Sequence, residues 1–324
     1  MSKIKLFLGV DTSNYTTSLA LCDENGNVIS NVRKLLEVAE GQRGLRQSDA
    51  LFLHTKALPS LSQELFSHAI YCPENLCAVG VSTRPRDAEN SYMPCFLSGL
   101  SFASAVSDAL KIPLYEFSHQ AGHIAAAVCS CEKPELFEKG KFISFHVSGG
   151  TTEALLCEYN GKTYTCEIVG GTNDASAGQM IDRAGVMLGL KFPCGKELDR
   201  ISRECEKNEN LGKLTSMKGA YFSMSGLENK VKAFVEGKKN PCDIALFLFD
   251  SIAAALSKSV LALRKEYGNL PVLFAGGVMS NTRIRSILKA IPNTFFASSE
   301  LSSDNAAGTA ILSQKLYTSG KDQI

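Results

Sequence analysis

The chain has almost no charge of either sign to spare. Across 324 residues, 34 Lys and Arg face 33 Asp and Glu, for a formal net charge of +1. That balance supplies no overall basic field to gather nucleic acid, so any such contact must be a local patch or come through partner proteins. There is no H-E-x-x-H, which removes the common zinc-peptidase signature, and no G-x-G-x-x-G opens a helix, which leaves a Rossmann dinucleotide site without support. The tightest cysteine pair, Cys129 and Cys131, lacks the C-x-x-C spacing of common zinc sites. Eleven scattered cysteines without an export signal imply reduced thiols and a cytoplasmic protein. By this reading no run approaches the roughly 20 apolar residues of a membrane helix, and MSKIKLFLGVDTS arrives at Asp11 too soon for a signal peptide, so no membrane partner is expected. Apolar residues at 44% and charged residues at 21% are ordinary for a globular protein.

What is present is a plan used twice. Residues 4–30 read as strand, a polar turn at Asp11-Thr12-Ser13, strand, an Asn25-Gly26 hairpin and strand. Residues 141–171 read as strand, a turn at Ser148-Gly149-Gly150, strand, an Asn160-Gly161 hairpin and strand. Asn-Gly between apolar or alternating runs is the strongest short-range hairpin signal. Helical periods follow each meander, at 49–69 and 95–110 in the first half and at 176–190, 241–268 and 303–317 in the second, with a β-rich PVLFAGG at 271–277. Alternating strands and helices predict an α/β protein. The duplication predicts two similar lobes with mixed sheets and a central cleft, the plan of the actin, Hsp70 and sugar-kinase superfamily. The expected division is 1–118 and 119–324, with a C-terminal helix at about 304–318 packing back towards the first lobe. A doubly wound Rossmann-type sheet is the alternative.

Several short motifs could carry chemistry. SHQAGHIAAA (118–127) places His119 and His123 four apart, one turn above each other on one helix face, as two arms of a metal site or as helix-lining side chains. In HVSGGTTE (146–153), Gly149 and Gly150 either let backbone N–H groups approach an anion or simply make a tight turn. FAGGVMSNTRIRSIL (274–288) reads as strand, Gly276-Gly277, and a helix capped by Ser280 or Asn281, suited to a ribose or phosphate or to an ordinary βα turn. LSSDNAAGTAIL (301–312) offers Ser303 or Asp304 as a cap, and its Ala306-Ala307-Gly308 permits close approach of backbone or ligand. Asp182 follows Gly178 by one turn, and Pro193-Cys194-Gly195 comes soon after.

The order of these motifs is more specific than any one of them. D-T-S, H-x-x-x-H, S-G-G, G-Q-M-I-D, P-C-G, S-G-L, G-G-V-x-x-N and S-D-N, running from about residue 6 to 317, resemble the universal threonylcarbamoyladenosine synthase family, formerly called O-sialoglycoprotein endopeptidases. The resemblance implies the two-lobed superfamily fold. It also implies transfer of a threonylcarbamoyl group from threonylcarbamoyl-AMP to N6 of the tRNA adenosine next to the anticodon. One metal ion, iron or zinc, would be held by His119, His123 and Asp304. The family's substrate loop falls on His146, Val147, Ser148, Gly149 and Gly150, and its single substrate contacts on Asp182, Gly195 and Asn281. Gly276 and Gly277 would form a nucleotide loop. Implied partners are an adenine nucleotide, tRNA engaged through a protein complex, an enzyme that makes the adenylate, and a paralogous subunit that the small-residue face around Gly99 and Ala103 could meet, an internal core role being the other reading.

The sequence departs from the family's pattern at particular places. Thr151 stands where the family usually has histidine, DTSNYTT replaces a more acidic turn, and 82–96 is longer and glycine-free with Arg84 and Arg86. Asn173-Asp174 and Gln179 replace more acidic residues. These changes keep two further readings open: a divergent paralogue using the same adenylate on another acceptor, and a non-catalytic nucleotide-binding partner of a true synthase.

Overall fold

The structure, a computed structural model, describes residues 4–13, 15–37, 45–205, 209–298, 300–301 and 305–320. The first sheet begins with the predicted meander: β1 (Leu6–Asp11), β2 (Thr16–Asp23) and β3 (Val28–Leu35), joined in antiparallel register. Asp23 builds the hairpin by accepting the N–H groups of Asn25 and Asn27, both at 2.9 Å, while Gly26 takes φ +81°. Helix α1 (Gln47–Phe66) precedes β4 (Leu76–Arg84), and α2 (Phe96–Leu110) precedes β5 (Leu114–Ser118). Strand order is β3-β2-β1-β4-β5, with β4 parallel to β1 and β5 parallel to β4. β1 is buried on both faces, so it reads as a continuous apolar run. Leu6, Leu8 and Val10 meet Leu58, Leu61 and Ala103 of α1 and α2, whereas Phe7 faces the other way. Ala103 thus lies in the core, and the Gly99 N–H donates to Thr12 Oγ1 at 3.1 Å, so this small-residue face is used inside the unit. Helix α3 (His119–Cys129) follows β5 directly.

The second sheet opens with β6 (Lys141–Val147), β7 (Thr152–Tyr159) and β8 (Tyr164–Thr172). It continues through α4 (Ala177–Met187), α5 (Gly195–Arg203), the short β9 (Ser216–Lys218) and β10 (Tyr221–Ser223), α6 (Ser225–Glu236) and α7 (Pro241–Tyr267). β11 (Val272–Ala275), α8 (Thr282–Lys289) and β12 (Thr294–Phe296) complete it. The order β12-β11-β6-β7-β8-β10-β9 contains the five-strand plan of the first sheet again, with β11 parallel to both β6 and β12. The duplication predicted from the two Asn-Gly hairpins is therefore present, as two mixed sheets.

Two expectations need correction here. α7 is long and apolar enough, by length and composition, to cross a membrane, contrary to the reading that no run comes near it. Its apolar window is 67% buried, with Ile244, Leu248, Ile252 and Leu256 in the core of the second unit, so the run is explained by all-round packing. Cys205 and Cys242 form a disulfide rather than two reduced thiols, because the end of α5 and the start of α7 bring their Cα atoms to 5.9 Å. The other nine cysteines are not in disulfides.

The last helix, α9 (Ala307–Ser319), packs on the first sheet, placing Ala307, Ala310 and Ile311 against Phe7, Ala20 and Ala78. By contacts, Met1–Ser130, Glu158–Cys166 and Leu301–Ile324 form one unit, and Cys131–Cys157 with Glu167–Glu300 the other. The division thus falls at Ser130/Cys131 instead of 118/119, because Ser118-His119 is a single strand-to-helix turn and α3 lies against α9.

Candidate functional site

The first group of site residues grows from the end of β1. Asp11 is 2% exposed, and its Oδ1 accepts the Ser13 N–H at 2.8 Å. Its Oδ2 accepts the Ser82 hydroxyl at 2.8 Å and lies 2.7 Å from His119 Nδ1. Burial alone would raise the Asp11 carboxyl, but the His119 charge, its hydrogen bond and those from Ser13 and Ser82 outweigh it and hold the group down at about 2. Ser118 caps α3 by accepting the Ala121 N–H at 3.2 Å and donates its hydroxyl to Asp87 Oδ2 at 2.8 Å. Asp87 in turn pairs with Arg84, so the glycine-free 82–96 segment is folded against the start of α3. Thr12 Oγ1, donating to the Cys95 carbonyl at 3.0 Å, pins the D-T-S turn to the same segment.

One helical turn brings His123 Nε2 to 2.8 Å from His119 Nε2, with the rings edge to face. Two imidazole nitrogens converging this closely, one ring backed at its far nitrogen by a buried carboxylate, are the kind of donors that could form two arms of a metal site. Asp304, the third expected ligand, lies outside the described residues. Among the described residues no group of three or more His, Cys, Asp or Glu is arranged to hold a metal ion.

The second group lies in the second unit. After β6 the chain turns at Ser148-Gly149-Gly150, where Ser148 Oγ accepts the N–H groups of Gly150 and Thr151 at 3.3 and 3.1 Å. The α4 N-terminus abuts this turn: Ser176 donates its hydroxyl to the Gly149 carbonyl at 2.7 Å, and the Gly178 N–H donates to the Ser148 carbonyl at 3.1 Å. A Cβ on Gly178 would strike Gly149, which explains the small residue in G-Q-M-I-D. Asp182 Oδ1 accepts the Cys194 N–H at 2.8 Å, joining α4 to the Pro193-Cys194-Gly195 turn from which α5 starts. Asp199, on α5, accepts the N–H and hydroxyl of Thr282 at 3.0 and 2.9 Å and so ties α5 to α8. Asn281 caps α8 through Oδ1, which accepts the Ile284 N–H at 2.9 Å. Its Nδ2 is buried without a hydrogen-bond partner among the described residues, in a side chain only 7% exposed. Such an orphan is costly unless a ligand completes it.

His146 sits on β6 beside Ala275 of β11. Val147 is fully buried, so only its main chain could meet a ligand, and its carbonyl blocks any Cβ at Gly276, which takes φ +102°. Gly149, Gly150 and Gly277, by contrast, have open space where a Cβ would stand. Gly277→Val is therefore expected to leave the fold intact and to remove AMP binding by filling ligand space. Titration calorimetry beside a thermal melt checks this, and unchanged affinity would show that no nucleotide lies there.

The sequence model of the tRNA N6-adenosine threonylcarbamoyltransferase family matches residues 28–311. The enzyme of that name from Thermus thermophilus is 30% identical over 315 residues, covering 97% of this chain and 93% of its own. The one from Geobacillus thermodenitrificans is also 30% identical, over 97% and 92%. The chain belongs to the tRNA N6-adenosine threonylcarbamoyltransferase family. The fold has more distant company in T. kodakarensis HypF (TM-score 0.61, 14% identity, 98% of this chain and 48% of that one). A ROK family glucokinase from Streptomyces griseus is similar too (TM-score 0.51, 12% identity, 96% and 99%).

Within this transferase family, the unusual positions have visible local jobs. Thr151 closes the glycine turn, its carbonyl accepting the Ser148 N–H at 2.8 Å. Gln179 completes a capping box with Ser176. Asp174 receives the Met224 and Ser225 N–H groups at 2.8 and 3.0 Å, together with the Ser223 hydroxyl, and so caps the start of α6. Burial would raise its carboxyl, but the Ser223, Met224, Ser225 and Thr172 hydrogen bonds hold it well below the usual carboxylate range. Asp174→Asn is expected to cost about 1 kcal/mol at neutral pH. Because the folded-state pKa lies below the unfolded one, this stabilisation is complete above roughly pH 4 and fades as pH falls further. Denaturant melts of both proteins at pH 7 and pH 3 should show the gap narrowing; a constant gap would mean that the charge is immaterial. The residues missed by sequence reading, Ser82 and Asp199, act across the fold, and only the D-T-S at a strand end hinted at Asp11.

Proposed function

We propose that the chain is a metal-dependent acyltransferase that moves a threonylcarbamoyl group from threonylcarbamoyl-AMP to N6 of the tRNA adenosine next to the anticodon. Family membership over almost the whole chain supports transfer to tRNA adenosine. The observation that carries the finer reading is the convergence of His119 and His123 Nε2, with Asp11 behind His119.

In this reading N6 attacks the carbamoyl carbon, the bond from that carbon to the phosphate oxygen breaks, AMP leaves and N6 loses a proton. An iron or zinc ion held by His119, His123 and Asp304 would neutralise charge on the leaving phosphate. Asp11 keeps a proton on His119 Nδ1 and so leaves Nε2 as a lone-pair donor. Asp182 suits ribose hydroxyls, since its Oδ2 accepts no hydrogen bond among the described residues while Oδ1 is committed to Cys194. The Ser148-Gly149-Gly150 turn, with no side chain over the glycines, leaves open space for an anionic group beside the Gly149 N–H, the Ser148, Gly150 and Thr151 N–H groups being engaged within the turn. A full-length HypF of similar fold was solved with phosphate and nucleotide bound and the glucokinase with AMPPNP, which fits the idea that this chain takes an adenine nucleotide.

With 34 basic residues against 33 acidic ones, the chain has little long-range attraction for tRNA. Weak, salt-sensitive tRNA binding by the isolated chain is therefore expected, with transfer requiring a companion subunit and an adenylate-forming enzyme. The test is incubation with threonylcarbamoyl-AMP and unmodified tRNA, with and without those partners, followed by mass analysis of nucleosides. Modified adenosine only in the complete mixture is the expected result. None in any mixture would end the transferase reading, and robust turnover by the chain alone would end the requirement for partners.

A further inference from the structure

Helix α3 opens on His119 and reaches His123 one turn later, so the setting of its first turn places both rings. A helix start leaves its first N–H groups without helical acceptors. Two of these are met by the chain that precedes the helix. The Gln120 N–H donates to the Pro85 carbonyl at 3.0 Å, and the Ala121 N–H to Ser118 Oγ at 3.2 Å. The Ser118 hydroxyl has one proton, and it goes to Asp87 Oδ2 at 2.8 Å, which leaves the serine oxygen's lone pairs to the helix. Arg84 Nε holds Asp87 Oδ1 at 2.8 Å, and the Arg86 N–H donates to Ser91 Oγ at 3.1 Å, so the turn carrying Asp87 is itself tied down. Phe96, at the far end of the glycine-free segment, sets its ring centre 6.4 Å from that of His119. A serine alone suffices to cap a helix. Capping therefore leaves the carboxylate behind Ser118 unexplained.

We propose that Asp87 is a positioning residue for the transfer reaction, setting the convergence of His119 and His123 Nε2 through Ser118 and the first turn of α3. The proposal rests on the metal reading above and assigns that site a support outside its ligands. Asp11 bonds one ring directly and fixes its orientation. Asp87 has a different task, since its bond to Ser118 steadies the backbone that carries both rings. Helix ends fray, and a pair of donors spanning the first turn keeps its separation only where that turn is held. The negative charge of Asp87 near the start of α3 also suits the positive end of the helix dipole. These contacts all arise from the segment in which the chain departs from its family's pattern, so the departure supports the histidine pair.

Co²⁺ titrated into the full chain after chelator treatment, and followed by visible absorption, reports both affinity and ligand geometry. Losing an outer partner of a ligand commonly costs 10–100-fold in metal affinity; Asp87 acts one bond further out, so Asp87→Ala is expected to weaken Co²⁺ by about tenfold and to shift its absorption bands. Asp87→Asn, which keeps an oxygen for the Ser118 hydroxyl, should bind close to the parent. The Asp87 side chain is 30% exposed, so the alanine variant should fold. Ser118→Ala removes the intervening hydroxyl and tests the same relay by a second route. Asp174→Asn, which weakens a helix cap in the second unit, is the control for general destabilisation and should leave Co²⁺ affinity unchanged. Parental affinity in both Asp87→Ala and Ser118→Ala, or an equal loss in Asp174→Asn, overturns the positioning role while the metal reading survives. Failure of the parent chain to bind Co²⁺ overturns both.

Discussion

Purified without chelator, the parent chain should carry one metal ion, and the double variant His119→Ala/His123→Ala should carry none. On the metal-dependent reading, transfer by the complete mixture should fall by about a thousandfold or more, because the transition state would lose several kcal/mol of Lewis-acid stabilisation at the leaving phosphate. The argument starts from geometry. The two Nε2 atoms lie 2.8 Å apart, a separation that two neutral imidazoles share through one hydrogen bond or through a common third atom. The hydrogen bond alone would not account for a buried carboxylate placed at 2.7 Å from the far nitrogen of His119 and held by two serines. That is the outer support typical of a ligand histidine, whose loss commonly costs 10–100-fold in metal affinity. Asp11→Asn should therefore lose metal more readily to a competing chelator while keeping both ligands. Elemental analysis decides the first point: equal metal content in parent and double variant would sink the site.

How much of this was legible beforehand depends on the reach of each interaction. The hairpins at Asn25-Gly26 and Asn160-Gly161 could be read because the turn chemistry is local, and both stand where expected. The facing of His119 and His123 could be read because one helical turn suffices. The partnership of Asp11 with His119 spans 108 residues and that of Asp199 with Thr282 spans 83, so no periodicity announces them. Asp11 looked like a turn residue, and it is also the carboxylate behind a histidine. The apolar length of α7 reflects burial on all sides, which composition cannot tell from a membrane span. The Cys205–Cys242 bridge depends on the end of one helix meeting the start of another across 37 residues. Around Gly99 and Ala103, small side chains were compatible with a partner's helix or with an internal neighbour, and only the packing against Thr12 and the first sheet distinguishes them.

The run Ala306-Ala307-Gly308 raised the same ambiguity, backbone approach or ligand approach, and its resolution leads to a large stability effect. A Cβ on Gly308 would collide with the Gly122 carbonyl, and one on Gly9 or Gly80 would collide with the Ala306 or Thr309 carbonyl of the same C-terminal segment. α9 therefore lies at backbone distance from both α3 and the first sheet, a separation that only missing side chains allow. A glycine inside a helix ordinarily costs about 1 kcal/mol relative to alanine, so its presence here is offset by the packing it permits. Gly308→Leu should force α9 away from α3 and destabilise the first unit by about 3 kcal/mol or more. For a unit of this size the thermal midpoint should drop by roughly 6–12 °C. Gly277→Val, placed where a side chain meets open space, should show no such drop. Circular dichroism melts of the two variants beside the parent make the comparison direct, since both add a branched apolar side chain to a glycine. If Gly308→Leu melts with the parent, α9 does not seat on α3 as described, and the support it lends to the His119 helix would have to come from elsewhere.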